Sequence, residues 1–290
     1  MYLTFKQSIS RFLWGHPRTY QIVQKLRSRG DVFDTNYDIL FDGFPRSGNT
    51  FGAFMLAVSQ QNRLKVNTHR HTPPPFIRAL EVGKPTCLTL RAPLDALTSW
   101  IIYSNRPIST VIQYYIDFYE VLLPHRSKVQ ILPFKVITED FPFVIQLINT
   151  RFGLNLESQL DFDACKQEVF ERIDASWKRK GGAIDESRVA RPYPARNDRK
   201  PTVRQALLQT CYSNLLYRCN ELHQVFENEF LASLNQYPEL LTKWERNVSS
   251  TEVDPQNEQD NPSQRYYDVD GHAHDGTIRF ENQNLKVILP

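Results

Sequence analysis

The chain has 290 residues, 41% of them apolar, and a formal net charge of +3. That length suits one large domain or two small ones, and the apolar fraction is enough for a real core, which excludes a wholly disordered chain. No run approaches the roughly 20 apolar residues of a membrane span, and no continuous apolar stretch opens the chain, so neither a transmembrane segment nor a secretory signal is expected.

The charge is unevenly spread. Residues 1–30 carry six Lys/Arg and no acid, and residues 178–204 carry nine basic residues against Asp185, Glu186 and Asp198. Residues 247–290 run the other way, with eight acids against Arg265, Arg279 and Lys286. Two basic clusters and an acidic tail suggest a polyanionic ligand near the basic parts. Cys87, Cys165, Cys211 and Cys219 show no CxxC spacing. Cys211 and Cys219, eight apart on one expected helix, sit too far along its axis to bridge. Reduced thiols and a cytoplasmic location are the expectation.

In chain order, residues 1–29 read as one or two basic amphipathic helices, with Phe5, Ile9, Phe12 and Leu13 on one side. Packing onto the domain is the expected fate, with peripheral membrane contact as the alternative. Tyr37–Phe41 reads as the first strand and Thr50–Gln61 as its helix. Leu64–Thr68 is a short second strand, Phe76–Val82 a short helix after three prolines, and Thr86–Leu90 a third strand. Leu94–Tyr103 and Thr110–Leu123 read as helices, and Val129–Ile137 as a strand interrupted by Pro133. Asp140 N-caps a helix that runs through Phe152 and ends at Gly153. Residues 203–236 form one long helical stretch. Residues 247–264 are rich in Asn, Ser, Gln and acids and read as disordered, and the last residues regain enough pattern for a short strand. This alternation predicts an α/β fold, a three-layer sandwich with a central, mainly parallel sheet. The division expected is a catalytic domain over 1–246 and an acidic polar tail over 247–290.

Three stretches carry candidate chemistry. The first is Gly43-Phe44-Pro45-Arg46-Ser47-Gly48-Asn49-Thr50, between the first strand and its helix. Strand, glycine loop and helix make a phosphate cradle, because loop N–H groups and the helix N-terminus point at one anion. The spacing fits a P-loop except that Asn49 stands where a nucleoside triphosphatase needs its lysine. The cation is at Arg46 instead, so the phosphate held is not expected to belong to an ATP β/γ pair. The second stretch is Leu90-Arg91-Ala92-Pro93-Leu94-Asp95, with Ser99 about two turns along the helix that Pro93 starts. An arginine fork with a serine hydroxyl suits a second phosphate. The third is Thr68-His69-Arg70-His71, where either histidine suits a general base near neutral pH. A metal pair at His69 and His71 is disfavoured, because no carboxylate or cysteine nearby in the sequence completes it. In such sheets ligands sit at the carboxyl ends of strands, where all three stretches fall.

At these residues the chain resembles the sulfotransferases that use 3′-phosphoadenosine-5′-phosphosulfate. Gly43 to Phe51 is similar to their 5′-phosphosulfate loop, Leu90 to Trp100 to their 3′-phosphate motif, and Phe134 to Phe141 to a strand-end motif that follows. Order and spacing agree over about residues 37–155, and more loosely to 236. The resemblance implies a P-loop NTPase-like sulfotransferase fold. It implies that Pro45, Arg46, Ser47, Gly48, Asn49 and Thr50 bind the 5′-phosphosulfate, with Arg46 at the bridging oxygen. Arg91 and Ser99 bind the 3′-phosphate, and His69 or His71 takes the acceptor proton. It also implies a basic loop closing the 3′-phosphate site, for which Arg179-Lys180-Gly181-Gly182 is the candidate and Arg196-Asn197-Asp198-Arg199-Lys200 the competitor. The activity implied is sulfuryl transfer from that donor to an acceptor hydroxyl on a glycan, a lipid or a small alcohol. No metal is required, because no β/γ-phosphate pair needs bridging. The basic residues 178–204 favour an anionic saccharide as acceptor, and no nucleic-acid partner is expected. The rival readings are a P-loop nucleotide kinase or triphosphatase, and a catalytically inactive nucleotide-binding protein.

Overall fold

The computed structural model describes residues 11–26, 35–179, 189, 198–249, 277–281 and 284–288. Its centre is a four-stranded, all-parallel sheet of β1 (Ile39–Gly43), β2 (Val66–Asn67), β3 (Thr86–Leu90) and β4 (Gln130–Pro133), in the order β2-β1-β3-β4. Every residue of β1 and β3 is buried. That is the signature of a parallel strand covered on both faces. The central pair is in close contact. A Cβ on Gly43 would lie 2.2 Å from Thr89 Oγ1 and 2.5 Å from the Thr89 carbonyl, so only glycine fits at the end of β1.

The chain moves one way across the sheet from β1 to β2 and the other way from β2 to β3. Right-handed crossovers therefore put the two connecting helices on opposite faces. α2 (Asn49–Ser59), which follows the short N-terminal α1 (Pro17–Leu26), joins β1 to β2. It packs against α6 (Phe134–Glu139), α7 (Phe141–Phe152) and α8 (Phe162–Arg179). On the other side α3 (Pro73–Glu81) packs against α5 (Ile108–Leu122), and α5 against α4 (Pro93–Ser104) and α10 (Ser213–Leu234). α9 (Lys200–Leu207) lies on α4, and α11 (Pro238–Ser249) touches α10. The result is the expected α/β sandwich. The reversal of strand order falls between β1 and β3, where an open parallel sheet leaves a crevice at its carboxyl edge.

The strands and helices expected between residues 37 and 123 are present with small shifts of their ends. Asp140 caps α7 as expected, accepting a hydrogen bond from the Phe143 N–H at 3.0 Å, and Gly153 ends the helix at φ 63°. Elsewhere the structure corrects the reading. β4 stops at Pro133, and Phe134–Glu139 is a helix, because proline removes a ladder donor and its fixed φ suits a helix start. The stretch 203–236 is broken. Gln209 is extended, a 3-10 turn covers Thr210–Tyr212, and Tyr212 turns into the core. Cys211 and Cys219 are therefore on different elements, and all four cysteines are free thiols. The helix Phe162–Arg179 was not anticipated. Phe12 and Leu13 do not share a buried side: Phe12 is exposed, and Trp14 carries the packing instead. Trp14 sets its ring edge on Tyr114 at 4.9 Å, and Arg11 pairs with Glu120 at 2.5 Å. Residues 11–26 thus pack onto the domain, while Phe5 and Ile9 lie outside the described residues. Thr277–Glu281 and Asn284–Ile288 pair antiparallel as β5 and β6. Residues 247–249, expected to open the disordered tail, instead end the helix Pro238–Ser249, and the rest of the tail lies outside the described residues. No described helix is long and apolar enough to cross a membrane.

Candidate functional site

The loop after β1 is held from below by aromatic packing. Phe44 is fully buried, edge-on to Trp100 at 5.0 Å and to Tyr115 at 4.8 Å. Pro45 is buried beside it. Arg46 and Gly48 are both left-handed, at φ 67° and 88°. Such turns bring successive N–H groups into one concavity. Gly48 is also the N-cap of α2. It brings no capping side chain, and the first turn of α2 holds no acid, so nothing in this helix neutralises its positive end. The Ser47 hydroxyl is fully buried and has no hydrogen-bond partner among the described residues.

Asn49 turns inward. Its Nδ2 donates to the Phe44 carbonyl at 2.9 Å and the Gly43 carbonyl at 3.3 Å, and its Oδ1 accepts from Thr89 Oγ1 at 2.5 Å. The side chain at the lysine position thus ties the loop to β3.

The structure brings Arg46, Arg91 and Ser99 together across the switch point, with a pairing the sequence does not suggest. Arg91 Nη1 donates to the Arg46 carbonyl at 2.8 Å, whereas Ser99 accepts from Arg46 Nε at 3.2 Å. The Arg46 guanidinium lies 5.1 Å over the Tyr103 ring and donates to the Val189 carbonyl at 3.4 Å. Val189 is the described residue between 180 and 197, so part of the basic stretch 178–204 reaches the loop. The Arg91 guanidinium lies 4.1 Å over Phe134, whose ring would be 3.2 Å from a Cβ on Gly48. Arg179 ends α8 with its side chain outside the described residues, as are Lys180, Gly181, Gly182, Arg196 and Asn197 entirely. Among the competing candidates, Arg199 and Lys200 open α9, which is tied to α4 by an Arg204–Asp95 ion pair.

His69 and His71 follow β2 on a loop, not on the strand end itself, and both are left-handed, at φ 63° and 51°. Backbone of this kind in a residue other than glycine needs support. Asp42, fully buried at the end of β1, supplies it. Its Oδ2 accepts the N–H groups of Arg70 at 2.6 Å and His71 at 2.8 Å, and its Oδ1 accepts the Gly43 N–H at 2.9 Å. His71 Nδ1 is 3.0 Å from Asp42 Oδ1 and 3.0 Å from the Gly43 carbonyl. The Tyr114 hydroxyl donates to the His71 carbonyl at 2.7 Å. His69 Nε2 is 2.8 Å from Thr50 Oγ1, and the two imidazoles stand edge to face with centroids 5.8 Å apart.

Burial is the largest single influence on both members of the Asp42–His71 pair, and it disfavours both charges. Their mutual attraction and hydrogen bonds outweigh it, so Asp42 is held below the usual carboxylate range and His71 is raised above the ordinary imidazole value. The carboxylate that the sequence reading did not find beside the histidines is therefore present. Three or more His, Cys, Asp or Glu side chains placed to hold a metal ion do not occur among the described residues.

Asp42, Tyr103, Tyr114 and Phe134 were missed from the sequence. Asp42 alone left a signal: an acid closing a fully apolar strand in a parallel sheet must be buried and needs partners. Comparisons with known protein families, with curated proteins and with solved structures return no match.

Proposed function

We propose that the chain is a sulfotransferase that moves a sulfuryl group from 3′-phosphoadenosine-5′-phosphosulfate to an acceptor hydroxyl. The observation that carries this reading is the convergence of the uncapped N-terminus of α2 with Arg46, Arg91 and Ser99 at the switch point. The residues fit a doubly anionic donor: two guanidiniums flank the loop, and the unpartnered Ser47 hydroxyl lies buried within it. When bound, the donor supplies an electrophilic sulfur and a bisphosphate leaving group. The acceptor oxygen bonds to sulfur as the bridging S–O bond breaks, its electron pair leaving on the bisphosphate. A fixed cation at Arg46 stabilises that developing charge. The acceptor proton passes to an imidazole of the 69–71 loop. The rival triphosphatase reading lacks its lysine, and Asn49 is engaged as a tie between loop and sheet.

Calorimetry with adenosine 3′,5′-bisphosphate tests the proposal. Arg46→Ala and Arg91→Ala should each weaken binding about 10- to 100-fold, the scale of one charge-assisted hydrogen bond, with circular dichroism unchanged. Absence of binding at millimolar concentration, or affinities unchanged in both variants, would overturn it, and turnover of Mg-ATP would restore the triphosphatase reading.

A further inference from the structure

We infer that Asp42 is a positioning residue: its carboxylate holds the His71 ring with the proton on Nδ1, leaving Nε2 to accept the acceptor's proton, so that His71 rather than His69 is the base. This rests on the sulfuryl-transfer reading above. The argument is one of hydrogen-bond partners. Nδ1 faces two acceptors at 3.0 Å, Asp42 Oδ1 and the Gly43 carbonyl. The donor beside it is Asn49 Nδ2, farther away at 3.3 Å, with one hydrogen on the Phe44 carbonyl and the Gly43 carbonyl at 3.3 Å to take the other. An unprotonated Nδ1 would set its lone pair against two oxygens, so Nδ1 carries the proton. The ring cannot easily turn away, because Asp42 also holds the Arg70 and His71 N–H groups and Tyr114 holds the His71 carbonyl. The backing behind His71 is a buried carboxylate, whereas His69 Nε2 meets the Thr50 hydroxyl at the first turn of α2.

The balance of the step is simple. The acceptor O–H proton goes to Nε2, His71 becomes an imidazolium against the Asp42 carboxylate, and no electron leaves the pair. The influences on its titration are burial and the charge of Arg46 in the loop, which oppose protonation, and Asp42 on β1 and the Gly43 carbonyl, which favour it; His69, Asn49 and Tyr114 are the other groups facing the pair.

The test is nitrogen-15 NMR of histidine-labelled protein, with His71→Asn assigning the signal. The intact protein should show His71 protonated at Nδ1 and titrating above 6.5, and Asp42→Asn should lower that midpoint by at least about one pH unit. With sulfur-35-labelled donor and a mixture of glucose, glycerol and 2-naphthol, Asp42→Asn should cut transfer about 10²- to 10⁴-fold and shift the pH profile down, with bisphosphate affinity within about 3-fold. His71→Gln should lower transfer more than His69→Gln. A wild-type His71 without a proton on Nδ1, a midpoint insensitive to Asp42→Asn, or full transfer in that variant would overturn the inference. The first measurement needs no variant of Asp42 and stands even if that variant does not fold. Failure of bisphosphate binding would sink the sulfuryl-transfer reading alone, because NMR reads the pair independently.

Discussion

Asn49 sits where the phosphate-binding lysine of a nucleoside triphosphatase would be, and a residue-scale view explains why an amide serves there. Its carboxamide satisfies two loop carbonyls and takes a hydrogen bond from the neighbouring strand while 3% exposed. A lysine could not accept the hydrogen bond that Thr89 donates, since an ammonium has no acceptor. Asn49→Ala strands the buried Thr89 hydroxyl, at about 1–3 kcal/mol, and removes one hydrogen bond from each carbonyl, at about 0.5–1.5 kcal/mol apiece, although Phe44 keeps the Ser47 N–H and Gly43 keeps His71. We expect a loss of about 2–4 kcal/mol in urea unfolding together with weakened bisphosphate binding. A loss below about 1 kcal/mol would show that the tie does not hold the loop. From the sequence, Asn49 is legible only as a departure from a pattern. Its role depends on Thr89, 40 residues away, which no spacing rule connects to it.

At the scale of elements, legibility follows how local the determinant is. α7 was readable at both ends because its stop and start signals are neighbours in sequence: Asp140 caps it and Gly153 closes it. Asp140→Ala should therefore cost about 1 kcal/mol, the usual loss of an N-cap, measured by thermal or urea unfolding. A neutral result would mean that the capping bond contributes nothing. Phe134–Glu139 was misread for the complementary reason. Val136 and Ile137 favour a strand, but the ladder ends at Pro133, and both side chains are buried equally well from a helix. The helix carries Phe134 over Arg91, so the error concerns a wall of the candidate site. The break at Gln209 likewise follows from burying Tyr212, a tertiary demand that periodicity does not contain.

For the whole molecule, the Asp42–His71 pair sets a pH dependence of stability. Asp42 has a lowered pKa, so its contribution is present above about pH 3.8 and is lost as the pH falls through the lowered value. His71 has a raised pKa, so its contribution is full below about pH 6.5 and is lost as the pH rises through the raised value. The pair therefore stabilises most between those limits. Against His71→Asn, which keeps a neutral donor but no charge, wild type should be more stable by about 1–3 kcal/mol near pH 5, with the gap closing above neutrality. Urea unfolding across pH 3–9 checks this, and a gap that widens with pH would refute the assignment of charge. The pair also joins the two loops beside β1, and Trp14 and Tyr114 reach the same place from the segment before α1 and from α5. By itself the sequence determined the α/β class, the order of strands and helices as far as α5, and the three stretches that meet at the carboxyl edge, because buried strands, proline starts and glycine turns are local signals. Only the tertiary structure decided that Arg46 rather than Arg91 meets Ser99, that Asn49 faces the sheet, and that a buried carboxylate stands behind His71. Each of these is a contact across the parallel sheet, between residues whose separation along the chain carries no record of their distance in space.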